Sequence, residues 1–251
     1  MERKYEFIEE KVIGCDILLH RIQAVRDFGD VKCGDIGGWI ESEENLSHEG
    51  DCWVSDDAMV YCNAQVCDDA VVSQNAIIYE TACVCESAKV YGKSYIYGNA
   101  TISGNAKVFD KAQIFGEACV TEDAQCFHMS IVQGQAVIIG NAKVGDNARI
   151  LDNTFISDNT IIGGDAIIDG YAEIYGDAKV MHNSDYIVFK NWWGSLRHFT
   201  WTRSNNMWKV GCFYGTGKEL INKAYLDSRD KGDEYKRVVR YVDEILKSKK
   251  S

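Results

Sequence analysis

Ala58-Met-Val-Tyr-Cys-Asn63 runs directly into Ala64-Gln-Val-Cys-Asp-Asp69, and the same six-residue cadence returns in Ala100-Thr-Ile-Ser-Gly-Asn105 and Ala178-Lys-Val-Met-His-Asn183. It continues without a break from Cys52 to Phe189. The first position is small, most often Ala. The third is Val or Ile except at Cys126 and Tyr186, and the last two are mostly Gly, Asp, Asn or Glu. One branched side chain between two neighbours that point the other way makes a short strand with a single inward residue. Gly, Asn and Asp then accept the dihedrals of a turn, and a small residue fits inside the next corner. Three such units per coil stack residues 18 apart at about 4.8 Å. Val54, Val72 and Val90 begin one inward column, Val60, Ile78 and Ile96 a second, and Val66, Val84 and Ile102 a third. A repeat of this kind dictates architecture before any other feature does. The fold class is mainly β, a three-sided parallel β-helix.

These units resemble the hexapeptide-repeat superfamily, in which a branched aliphatic residue is followed four positions later by a small one. Val60 with Ala64, Ile102 with Ala106, and Ile174 with Ala178 match that pattern. The resemblance implies a left-handed parallel β-helix; the handedness comes from the resemblance and not from the spacing.

Three segments follow: an N-terminal β cap with an irregular first coil over 1–51, the repeats over 52–189, and a small α+β module over 190–251. Within the first, Lys4–Ile8 and Asp16–Val25 are strand-like and Asp27–Asp30 is a turn. Ile36 lies 18 before Val54, which predicts that it starts the first inward column, with Trp39 and Ile40 closing the open core. Gly37 and Gly38 would then belong to an atypical terminal repeat rather than to a phosphate cradle.

Composition narrows the setting. The chain has no proline, as suits a ladder that needs every N–H. No apolar run approaches about 18 residues, so a membrane partner is not expected, and Met1–Phe7 does not read as a signal peptide. Ten cysteines without a secretory leader point to free thiols in a cytoplasmic setting. Residues 190–251 carry a net charge of +7, against −18 over the rest. The acidic body argues against direct DNA binding by the helix.

The outward residues carry the functional information. Met59, Tyr61, Ile77, Tyr79, Tyr95, Tyr97 and Phe115 make an apolar, aromatic wall, which predicts a homo-oligomer interface. On the next face Lys89, Lys107, Lys143 and Lys179 share a column beside Tyr91, Phe109 and Phe127, read as a solvated face with stacked rings. The third face holds Cys67, Cys83, Cys85 and Cys119, with Cys67 and Cys85 as direct neighbours. Zinc wants a fourth ligand, and none is in view, so no metal is assigned. His128 and His182 lie about 14 Å apart if they share a column. They can hold no common metal, and no loop interrupts the coils beside either. No catalytic residue and no cofactor is assigned.

The C-terminal module has two or three strands around Asn191–Gly194, Arg197–Thr202 and Met207–Tyr214, then helices over Thr216–Asp227 and Asp233–Lys247. Val238, Val239, Val242, Ile245 and Leu246 recur at helical spacing and read as core. Gly215-Thr-Gly-Lys218 reads as a helix cap, with Thr216 and Glu219 as a capping box, more than as a phosphate loop. Tryptophans beside cations suit stacking and phosphate contact. The predicted ligand or partner surface is therefore Trp192, Trp193, Arg197, Trp201, Arg203, Asn206, Trp208, Lys209 and Lys218.

From Phe189 to Leu246, with the run Thr200–Gly217 as its most distinctive part, this tail resembles a module found on hexapeptide-repeat proteins of bacteria and their phages. The resemblance implies a phage or mobile-element protein. The expected function is a non-enzymatic binding or scaffold protein that sequesters or inhibits a host factor, either a small nucleotide signal or a defence protein. The alternative is a hexapeptide-repeat acyltransferase that uses acyl-CoA.

Overall fold

The computed structural model describes residues 2–14, 16–192, 194 and 196–248. A hairpin of β1 (Tyr5–Ile13) and β2 (Ile17–Ala24) leads to β3 (Ile36–Ile40). Two-residue strands then run from β4 (Trp53–Val54) to β25 (Lys179–Val180). An antiparallel sheet follows, made of β26 (Tyr186–Lys190), β27 (His198–Thr202), β28 (Met207–Val210) and β29 (Phe213–Thr216). Helices α1 (Gly217–Asp227) and α2 (Arg229–Ser248) end the chain.

The repeat is a three-faced β-solenoid of parallel stacked strands, as its period predicts. Val60 lies beside Ile78, Val66 beside Val84 and Val54 beside Val72, each pair 18 residues apart and in parallel register. The third-position residues from Val54 to Val180 and the corner alanines are buried in one continuous core.

The turns explain the acidity. The fifth residue of a unit sits in the left-handed region, as at Asp56, Asp68, Glu86, His128 and Asp158. There its side chain can reach the next coil and accept from the amide 18 residues on. Asp68 Oδ2 accepts from Glu86 N at 3.0 Å, Glu122 Oε2 from Gly140 N at 2.8 Å and Asp158 Oδ2 from Gly176 N at 2.8 Å. Many of the carboxylates are thus spent on the solenoid's own backbone.

The first coil departs from the sequence expectation. Ile36 is exposed, and the stacking residues are Ile40 on Val60 and Leu46 on Val66, each 20 apart. Two extra residues between Leu46 and Val54 absorb the offset. Trp39 faces outward, covered by Lys11 and Arg21, while Ile40 enters the core. The end is plugged instead by Tyr5, Ile22, Phe28 and Trp53. Gly37 and Gly38 are buried where β3 threads between the hairpin and the first coil. A Cβ on Gly37 would lie 2.5 Å from both Ile22 Cγ1 and Trp53 Cζ2, which leaves no space for a phosphate.

At the other end, Tyr186–Phe189, read from sequence as part of the last repeat, belongs to β26, which pairs antiparallel with β27. The helix α2 starts at Arg229 rather than Asp233, because Ser228 Oγ accepts from Lys231 N at 3.2 Å. Gly232 then lies inside α2, where α1 passes so close that a Cβ would sit 2.1 Å from Tyr225.

Among the described residues no helix is long and apolar enough to cross a membrane.

Candidate functional site

The C-terminal module both closes the solenoid and presents a surface. The terminal strands of the three faces, β23 (Ile167–Ile168), β24 (Glu173–Ile174) and β25, offer unpaired amides, and an open edge invites further pairing. Asn183 Oδ1 accepts from Ile167 N at 2.7 Å, Thr200 Oγ1 from Glu173 N at 3.1 Å, and Ser204 Oγ from Lys179 N at 2.7 Å. Tyr186 and Val188 pack on the solenoid core.

This docking determines where the sequence-predicted residues go. Trp201 and Trp208 are cross-strand partners, each 2% exposed, in a core with Phe199, Val210, Leu220 and Tyr235. Neither offers a ring face to a ligand. Trp201 Nε1 donates to Asn206 Oδ1 at 2.9 Å, which makes Asn206 a turn anchor. Lys209 Nζ lies 3.3 Å from Glu173 and 4.4 Å from the Tyr175 ring centroid, and Arg203 lies 3.9 Å from Asp185. Both cations dock on the chain's own acidic residues. Lys218 is exposed in the first turn of α1, but Glu219 already occupies that terminus, with its Oε2 accepting from Thr216 N at 2.8 Å. That bond holds the Glu219 carboxyl below the usual range. Arg197 is exposed beside Ser228, Asp230 and Glu234. Trp193 lies outside the described residues.

Trp192 is the exception. It is 70% exposed, with Lys190 Nζ 4.2 Å from its ring centroid. Lys190 also borders a groove of about 480 Å³ between β26 and α2. Ile187, Val188, Phe189 and Val238 line it, and Lys190, Arg237 and Tyr241 frame it. Among the described residues no strand pairs with the outer edge of β26. Sequence reasoning missed Lys190, Arg237 and Tyr241. The available signal was the exposed side of α2, where Arg237 and Tyr241 are four residues apart, as neighbours on one helix face are.

On the solenoid, the aromatic wall forms as predicted. Tyr61, Tyr79, Tyr97 and Phe115 stack at centroid distances of 5.4, 5.0 and 4.6 Å. Met59, Ile77 and Tyr95 stand beside them in register. Burial, with Tyr97 next, pushes the Tyr79 hydroxyl up to about 12. The other aromatic column, Tyr91, Phe109 and Phe127, stacks at 5.0 and 5.3 Å.

His128 sits at a corner in a groove of about 420 Å³ with Lys93, Asp110 and Lys111. Its Nδ1 is 3.1 Å from Asp146 Oδ1, and its Nε2 is 3.9 Å from Asp110. The Gly164 N–H, and then His128, hold the Asp146 carboxyl below the usual range. The Asp146 N–H also lies 3.3 Å from the same Nδ1 and donates to it when the ring proton is on Nε2.

A model of the YdcK β-solenoid repeat matches residues 64–80. The uncharacterized acetyltransferase YdcK of Escherichia coli (strain K12) is 49% identical over 41 residues, which is 16% of this chain and 13% of that protein. The chain therefore matches a small part of that relative's length. Both findings fit the hexapeptide-repeat β-helix family, and what they share with this chain is the repeat.

Proposed function

We propose that this chain is a non-enzymatic binding protein, a rigid solenoid bearing a recognition module whose partner is anionic with a flat or apolar part. The observation that supports it is the groove between β26 and α2, framed by Tyr241, Arg237 and Lys190, with Lys190 Nζ also lying over the exposed Trp192 ring. A ring face next to a cation is what stacking with charge contact requires, and Trp, Tyr and Arg dominate recognition hot spots. A nucleotide signal or an acidic protein surface has this chemistry. A host factor as the target, met in a cytoplasm by a phage or mobile-element protein, is the part of the proposal that comes from the resemblance of the module. Self-association through the Tyr61–Phe115 ladder belongs to the same proposal, since it would present several grooves at once.

Calorimetric titration of the full chain with linear and cyclic nucleotides and with acidic peptides tests it. Trp192→Ala and Arg237→Glu should each weaken binding at least tenfold at unchanged melting temperature. Wild-type affinity in both variants would remove the groove as the site.

A second reading is acyl transfer from acyl-CoA, favoured by the His128–Asp146 pair and by the word acetyltransferase in the relative's name. Acetyl transfer that disappears in His128→Ala would establish it over the first.

A further inference from the structure

The thiol-rich face supplies a site that the binding reading does not use. Each unit sends one residue inward and its two neighbours outward, so Cys83 and Cys85 flank buried Val84 and both face out. The strand before pairs with this one through Gln65 opposite Cys83 and Val66 opposite Val84, which sets Cys67 beside Cys85. The three sulfurs all lie within 4.8 Å of one another, and each residue is half-buried. Cys119 stays outside, because Thr101 stands between it and Cys83.

We propose that Cys67, Cys83 and Cys85 form a three-coordinate site for a soft monovalent cation, Cu(I). Thiolates select soft ions, with Cu(I) and zinc the leading cases. Structural zinc takes four ligands, and among the described residues no His, Asp or Glu atom joins the cluster within that reach. A neighbouring carboxylate, Asp68 Oδ2, is 3.8 Å from Cys67 Sγ but already accepts from Glu86 N at 3.0 Å. Three sulfurs and no fourth donor suit the trigonal preference of a filled-shell monovalent ion. The sulfurs need to close from within 4.8 Å to the shorter span of a shared metal, which small χ1 rotations on outward, half-exposed side chains supply.

Burial, and then the neighbouring Cys83 thiol, push Cys67 and Cys85 up to about 12. Each thiol that ligates gives its proton to solvent, the copper stays Cu(I), and no electron is transferred. Affinity must therefore rise with pH.

The test uses the full chain in a background of Cys33→Ser, Cys62→Ser, Cys119→Ser and Cys212→Ser, which removes the other described thiols that are not buried, together with Cys15→Ser. Under anaerobic conditions with a non-thiol reductant, Cu(I) is competed against a chromophoric Cu(I) chelator, and Zn(II) against its own. The expected result is one Cu(I) per chain, three sulfur neighbours in the copper absorption edge, and tighter binding at higher pH. Cys83→Ser should weaken binding at least tenfold without lowering the melting temperature of the metal-free protein; Cys83→Ala replaces it if that serine variant melts early. Copper retained equally by the Cys67→Ser, Cys83→Ser, Cys85→Ser chain would overturn the proposal. So would two sulfur neighbours with indifference to Cys83→Ser, or zinc taken up in preference with four-coordinate geometry.

Discussion

Lys4 is a buried cation in the cap. Its Nζ donates to the Cys52 carbonyl at 2.9 Å and to Cys52 Sγ at 3.2 Å, with the Phe28 ring 4.9 Å away. Removing the amine leaves a buried carbonyl without this donor, so Lys4→Met should cost about 1–3 kcal/mol, read from the urea midpoint. Gly38 is constrained by space. A Cβ there would lie 2.6 Å from Val54 Cγ1 and 2.7 Å from Ala58 O, so Gly38→Ala should cost about 1–3 kcal/mol by overpacking. Asp146 carries a pH signature. Its folded pKa is depressed, first by the Gly164 N–H and then by His128. Its stabilisation is present above the unfolded carboxylate pKa and lost as pH falls through the folded value. Urea midpoints of wild type and Asp146→Asn should differ at neutral pH and converge in acid. A gap that persists in acid would show that the carboxylate charge is not the cause.

Two-residue strands cannot stand alone, so at the scale of elements the solenoid depends on its ends. The hairpin β1–β2 continues one face edge to edge, since β3 pairs antiparallel with β2 and parallel with the β5 strand Met59–Val60. At the far end the edge amides are met by side chains rather than by another strand. Thr200→Val with Ser204→Ala frees the Glu173 and Lys179 amides. Hydrogen exchange at those two amides should accelerate, while exchange at Val90 and Ile102 in the central coils should stay slow. Equal acceleration along the whole solenoid would mean that it opens as one cooperative unit.

For the whole molecule, the opposite charges of body and tail meet partly within the chain. Lys209 with Glu173 is the more buried pair and Arg203 with Asp185 the more open one at the cation, so Arg203→Ala should cost only about 0–1 kcal/mol in stability. It should leave ligand affinity unchanged, in contrast to Arg237→Glu. The aromatic ladder lies on the face that the hairpin extends, and Tyr95 is 41% exposed within it. Tyr79→Glu with Tyr97→Glu should convert an oligomer to monomer by light scattering while the far-UV spectrum is kept. A wild type that is monomeric at micromolar concentration would remove this interface.

The hexapeptide period was enough, by itself, to determine the three faces, the inward columns, the stacked aromatic columns and the Cys67–Cys85 neighbour pair. A solenoid makes contact a function of sequence separation, so a local pattern repeated 18 residues on is already a tertiary statement. The capping box at Thr216 was legible for the same reason, since its partners are three residues apart. What closes the ends was not legible. Ile36 has the right spacing but the wrong coil, because the path of Gly37 and Gly38 past Ile22 and Trp53 sets the offset. Composition alone could not divide the tryptophans between core and surface. Trp201 and Trp208 are buried because β27 and β28 turn those faces toward α1 and α2, whereas Trp192 follows the sheet's edge strand and stays in solvent. The sulfur triad drew on both levels: the period sets Cys67 beside Cys85 and strand alternation puts Cys83 on the same outward face, while only the folded side chains bring the three sulfurs within 4.8 Å of one another.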